Sequence, residues 1–132
     1  MGNWIPNDPT LVAQILKISS AYTPPPPEGF VSPMTWGVES HVIERFMGAG
    51  VAKEKISFSR ETFTFDFPSA PTGFVDEFRK YYGPTMNAFD AAEKNGRAAE
   101  LQSELEDLFS RQNRGKDATS IPATFLRVTA VR

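Results

Sequence analysis

The sequence predicts an α+β fold: one pair of long strands, about 56–67 and 121–131, with four to five helices around it in a single domain of 132 residues. Three observations lead there. The last apolar segment, Ile121 to Val131, is greasy on both faces of an extended chain: Ile121, Ala123, Phe125 and Val131 lie on one side, Leu126, Val128 and Ala130 on the other. Such a strand belongs inside a covered sheet, flanked at both edges. Only Ile56 to Phe67 reads as another long strand. Everywhere else the apolar residues recur at helical spacing.

Residues 1–7 are short and turn-like, with Trp4 and Ile5 apolar and Pro6-Asn7 as a stop. A first helix starts with Asp8 as N-cap and Pro9 in the first turn, where proline is tolerated. Its stripe is Leu11, Val12, Ile15, Leu16 and Ile18. Pro24 to Pro27 ends that region as a stiff extended connector, a composition that also suits a ligand for a proline-recognising domain. A second helix spans about Trp36 to Met47, preceded by Ser32-Pro33 and stopped at Gly48 and Gly50. The strand Ile56–Phe67 changes apolar parity midway, from Ile56 and Phe58 to Phe63, Phe65 and Phe67. A bulge near Arg60 or Glu61 would put both sets on one core face; alternatively the two faces are covered in different halves. Phe74, Val75, Phe78, Tyr81 and Tyr82 mark a third helix, with Thr72 as its expected cap and Gly83 as its end. Pro84 opens a fourth, through Met86, Phe89 and Ala92 to about Gly96. Leu101, Leu105, Leu108 and Phe109 mark a fifth. Fifty residues and several helices separate the two strands, which permits parallel or antiparallel pairing.

A net charge of −2, from 14 basic and 16 acidic residues, excludes the basic excess of a typical nucleic-acid binder and the polybasic surface of a membrane-bound protein. The absence of cysteine removes disulfides, thiolate nucleophiles and cysteine metal sites, and fits a cytoplasmic location. One histidine cannot build a multi-histidine metal site, so no metal is expected. No stretch approaches a membrane span.

Four segments, Gly2-Asn3-Trp4-Ile5-Pro6, Ser32-Pro33-Met34-Thr35-Trp36-Gly37, Phe78-Arg79-Lys80-Tyr81-Tyr82-Gly83-Pro84-Thr85 and Ile121-Pro122-Ala123-Thr124-Phe125-Leu126, give the chain its resemblance to a known family. Nearly the whole chain resembles the C-terminal portion of class I S-adenosylmethionine-dependent methyltransferases of the ubiquinone/menaquinone-biosynthesis type. The resemblance implies a truncated Rossmann-like half. The Asn3-Trp4-Ile5-Pro6 stretch would close the family's fifth strand, Ile56–Phe67 would be its sixth, and Ile121–Val131 would be its antiparallel seventh, with helical insertions over the substrate. On this reading the chain starts where strand five ends. Family members hold the cofactor on a glycine-rich loop after their first strand. The nearest sequence here, Gly48-Ala49-Gly50, follows a helix and reads as a helix stop. No cofactor-binding residue carries over, and S-adenosylmethionine is expected only with a partner half.

With strand five cut short, the edge of Ile121–Val131 is expected to pair with a second copy as a homodimer, or with a separate chain carrying the methyltransferase N-terminal half. The expected substrate-binding residues are Arg79, Tyr81 and Tyr82, on the helix that the resemblance puts over the substrate, and Trp36, an indole able to stack on a planar ligand, as Trp4 also is. Arg79 would hold an anionic group. His41 is expected to be structural, because a general base would need a positioned substrate and a tuned pKa; Glu39 and Glu44, spaced onto different helix faces, are not expected to act as paired acids. No catalytic residue is identified. The expected function is that of a methyltransferase-like, substrate-side module without its own cofactor site. The alternatives are a small-ligand-binding homodimer without methyl transfer and a decayed product with no retained activity.

Overall fold

The computed structural model describes residues 1–132. It is an α+β fold whose three strands form one antiparallel sheet in the order β1–β3–β2, with β1 at Gly2–Trp4, β2 at Ile56–Phe67 and β3 at Thr119–Ala130. Five helices complete it: α1 Leu11–Ser20, α2 Glu39–Gly48, α3 Pro71–Tyr81, α4 Gly83–Lys94 and α5 Ala98–Gln112. Short 3₁₀ turns, Pro33–Gly37 and Lys53–Lys55, lead into α2 and β2. Because β3 runs antiparallel to both neighbours, β1 and β2 run parallel to one another.

The structure corrects one central expectation. β3 has two strand neighbours within its own chain, since Gly2, Asn3 and Trp4 pair with Arg127, Leu126 and Phe125. Val128 N donates to Met1 O at 2.7 Å, and Met1 N returns the bond to Val128 O at 2.9 Å. Further along the same edge, Thr124 N donates to Thr10 Oγ1 at 2.8 Å and Ser120 N to Asn113 Oδ1 at 2.8 Å, while Arg114 N donates to Ser120 O. Between them Pro122 has no N–H to leave bare. A strand edge attracts other chains through its unpaired donors, and from Ser120 to Val128 those donors are used internally. The homodimer expected through the edge of Ile121–Val131 therefore loses its basis.

The β2–β3 ladder runs without interruption from Ile56↔Ala130 to Phe67↔Thr119, and Arg60 and Glu61 sit in register opposite Leu126 and Phe125. There is no bulge. The parity change in β2 has the other cause: the two faces are covered in different halves. On the first face Ile121, Ala123, Phe65 and Trp4 pack under α1, α3 and α5. On the second, at the opposite end of the strands, Ile56, Phe58, Leu126 and Val128 pack with Ile5 and under Trp36, Val42 and Phe46.

Local chemistry explains most boundaries. Asp8 does not cap α1 directly. Its Oδ2 accepts from Thr10 N at 2.9 Å and from the Thr10 hydroxyl, so the helix begins later, at Leu11. Ser32 Oγ accepts from Met34 N, which caps a 3₁₀ turn rather than α2. Pro71, not Thr72, opens α3 after an extended Ala70. Pro24 to Pro27 are exposed and lie outside regular secondary structure. Phe74 and Phe78 dock α3 on the sheet and on α5, with ring centroids 5.7 and 5.4 Å from Phe109 and 5.9 and 6.1 Å from Phe65. No helix is long and apolar enough to cross a membrane.

Two contacts tie distant parts of the chain together. Gly37 lies directly beneath β1, where any side chain would overlap the Trp4 carbonyl. Tyr22, 5% exposed at the end of α1, donates its hydroxyl to Glu104 Oε1 of α5 at 2.7 Å, with the Arg97 guanidinium 4.4 Å above its ring. Burial, the bond to Glu104 and the charges of Glu104 and Glu100 push the Tyr22 hydroxyl up to about 12, against the pull of Arg97.

Gly37→Ala should lower unfolding stability by about 2 kcal/mol or more, because a rigid backbone contact has to open; urea denaturation reads this directly. The Tyr22 contribution is present in full below the ordinary tyrosine value of 10.0 and is lost as pH rises toward about 12. Tyr22→Phe should therefore lose stability less steeply than the parent between those limits in parallel denaturation series.

Candidate functional site

A cleft of about 360 Å³ opens where α3 ends over the sheet, lined by Trp4, Val12, Phe65, Glu77, Phe78, Tyr81 and Tyr82. Each element contributes for a local reason. Trp4 is the last residue of β1 and is held by the Phe125 ring at 6.1 Å, edge-on, and by Phe65 at 6.4 Å. Phe65 lies near the carboxyl end of β2 and Val12 in the first turn of α1. Glu77, Phe78 and Tyr81 recur at one-turn spacing on α3, and Tyr82 follows at its C-cap, with its ring 5.4 Å from Phe78. Burial alone raises the Tyr82 hydroxyl above its usual range. A second groove of about 390 Å³ shares Trp4 and Phe65 and continues across the sheet past Gly2, Asn3, Phe63 and Phe125. Together they form an aromatic trough bordered by one carboxylate, Glu77. It suits a flat apolar molecule.

Two of the expected residues, Tyr81 and Tyr82, meet in this cleft, and two do not. Arg79 lies on the other side of α3, bonded to Glu93 at 2.9 Å and Gln102 at 3.4 Å, with its guanidinium 4.2 Å over the Phe89 ring. Its charge holds α3, α4 and α5 together and does not reach the cleft lining. Trp36 lies under the opposite sheet face, its ring 6.2 Å from Phe46 and 4.4 Å from the Arg45 guanidinium, where it packs against the buried Ile5, Val42 and Leu126 cluster. His41 is exposed on α2. Sequence reasoning misses the trough residues Val12, Phe63, Phe65, Glu77, Phe78 and Phe125; the ladder register brings Phe63, Phe65 and Phe125 to one face, and the packing of α1 and α3 on that face brings Val12, Glu77 and Phe78.

No three histidine, aspartate or glutamate side chains converge as a metal-binding set. Gly48-Ala49-Gly50 does not fit a nucleotide cradle. The stretch follows a helix and not a strand, and Gly50, at φ 90°, closes the end of α2. No family model matches the chain, and neither the curated proteins nor the solved structures hold a significant match.

Proposed function

We propose that this chain is a methyltransferase-like, substrate-side module that takes a flat apolar small molecule into the aromatic cleft and depends on a separate cofactor-binding chain for S-adenosylmethionine. The observation that carries the reading is the sheet. A central strand antiparallel to both neighbours, with those neighbours parallel to each other, is the arrangement the resemblance implies for strands five, seven and six. The cleft lies at the carboxyl ends of β1 and β2, the end of a sheet at which open α/β folds bind ligands. Trp4, Phe65, Phe78, Tyr81 and Tyr82 give it an aromatic, almost wholly apolar lining, in which Phe78 and Tyr82 meet edge to face.

The second reading, a ligand-binding protein without methyl transfer, is favoured by the same lining, because six of its seven residues are hydrophobic and the seventh is a single carboxylate. Both readings need the cleft; only the first needs a partner with the cofactor.

Trp4 reports on the cleft once Trp36 is replaced by Phe. In Trp36→Phe, 2-naphthol should quench the remaining tryptophan saturably. Adding Tyr81→Ala, an exposed side chain whose loss spares the core, should weaken that binding by about tenfold, equivalent to ~1.4 kcal/mol. Arg79→Ala should leave the affinity unchanged. Calorimetric titration of the purified chain with S-adenosylmethionine should show no binding; saturable heat at micromolar concentration would overturn the cofactor part of the proposal, and absence of quenching would overturn the cleft.

A further inference from the structure

With β3 paired on both sides, the sheet keeps two outer edges, the three residues of β1 and the 12 residues of β2, and the long one is β2. Ladder geometry identifies the groups it presents. Val128 exchanges hydrogen bonds with Met1, so even-numbered residues of β3 turn toward β1 and odd-numbered ones toward β2. Glu61, Phe63 and Phe65, opposite Phe125, Ala123 and Ile121, are consumed by that ladder. Phe58, Arg60, Thr62, Thr64 and Asp66 point their N–H and C=O groups away from the sheet. Neither a bulge nor a proline interrupts them: the ladder is regular, and Pro68 comes after the strand. Beside them Phe63 is 54% exposed.

The side chains along this edge complement themselves. A second copy paired antiparallel about a two-fold axis at Phe63 puts Arg60 opposite Asp66 of the other copy, and Asp66 opposite its Arg60. Both residues are exposed, and neither belongs to any of the three ion pairs in the chain. Thr62 then faces Thr64, and the outward donors and acceptors of all four positions meet. Phe63 meets its own copy at the close, non-hydrogen-bonded position, where cross-strand side chains interact most. Neighbouring registers are worse. An axis at Glu61 or at Arg60 opposes like charges, one at Thr62 leaves Arg60 opposite Thr64, and one at Thr64 leaves it opposite Pro68, so neither of these pairs its charge. We propose that the chain forms a two-fold homodimer through the outer edge of β2, centred on Phe63, giving a continuous six-stranded sheet. The two aromatic troughs then lie on the same face, joined across the axis by the paired Phe63 rings. This proposal rests on the sheet alone and not on what the cleft binds.

Sedimentation equilibrium over a range of micromolar concentrations should show a reversible monomer–dimer equilibrium. Thr64→Pro deletes an N–H that only the dimer uses, and edge strands accept proline at such positions. It should yield a monomer with an unchanged circular dichroism spectrum. Arg60→Asp and Asp66→Arg, each acting twice per dimer, should weaken association by about tenfold, and the two together should restore it. A parent chain that stays monomeric, or a dimer indifferent to Thr64→Pro, overturns the proposal. Failure of the double reversal to rescue the single ones overturns the Phe63 register. If Thr64→Pro perturbs the fold, the charge-reversal pair decides the matter by itself.

Discussion

The fold depends on β3 being enclosed. Its alternating residues are apolar toward both faces, and each face needs a cover of its own. The chain meets that need in two halves, with α1, α3 and α5 over Ile121 and Ala123, and α2 with its preceding 3₁₀ turn over Leu126 and Val128. The edges are closed as economically. Three residues of β1, one threonine hydroxyl, one asparagine carboxamide and a proline dispose of the backbone facing away from β2. Gly37 makes the arrangement possible, because only a residue without a side chain lets the 3₁₀ turn lie against the back of β1.

Much of this is legible in the sequence, and the illegible parts have physical reasons. β2 is legible to its last residue because each half alternates, from Ile56 and Phe58 to Phe63, Phe65 and Phe67, and Pro68 stops it. The dual apolarity of β3 correctly announces a central strand. The neighbour itself is illegible, because a strand of Gly2, Asn3 and Trp4 is too short to carry periodicity and its pairing spans almost the whole chain. The parity switch in β2 leaves two explanations open, since periodicity records which side chains are buried but not what buries them. Helix starts drift by a few residues wherever the capping group acts at a distance, as Asp8 does through Thr10.

The candidate site divides along the same line. Tyr81 and Tyr82 stand out because the resemblance puts their helix over the substrate and a tyrosine joins an apolar ring to a hydroxyl, and both line the cleft. Arg79, two residues earlier, is turned to the other side of α3 by helical geometry, where it pairs with Glu93 and covers Phe89. Trp36 fails for a longer-range reason. The sheet stands between it and the trough, and which face a segment covers is set by chain crossings that no local pattern encodes.

Staggered coverage also has a consequence for association. Had α3 and α5 covered the whole first face, Phe63 and Phe125 would be core and no trough would exist. Instead the cover ends near Phe65, leaving an aromatic surface beside the long outer edge of β2. An exposed phenylalanine next to an unguarded edge is a hazard unless the edge has a designated partner. The opposed charges of Arg60 and Asp66, equidistant from Phe63, specify such a partner and reject the neighbouring registers. The free edge expected of β3 thus belongs to β2, where the same uncovered half of the sheet supplies both the wall of the aromatic trough and the edge through which we propose that two copies join.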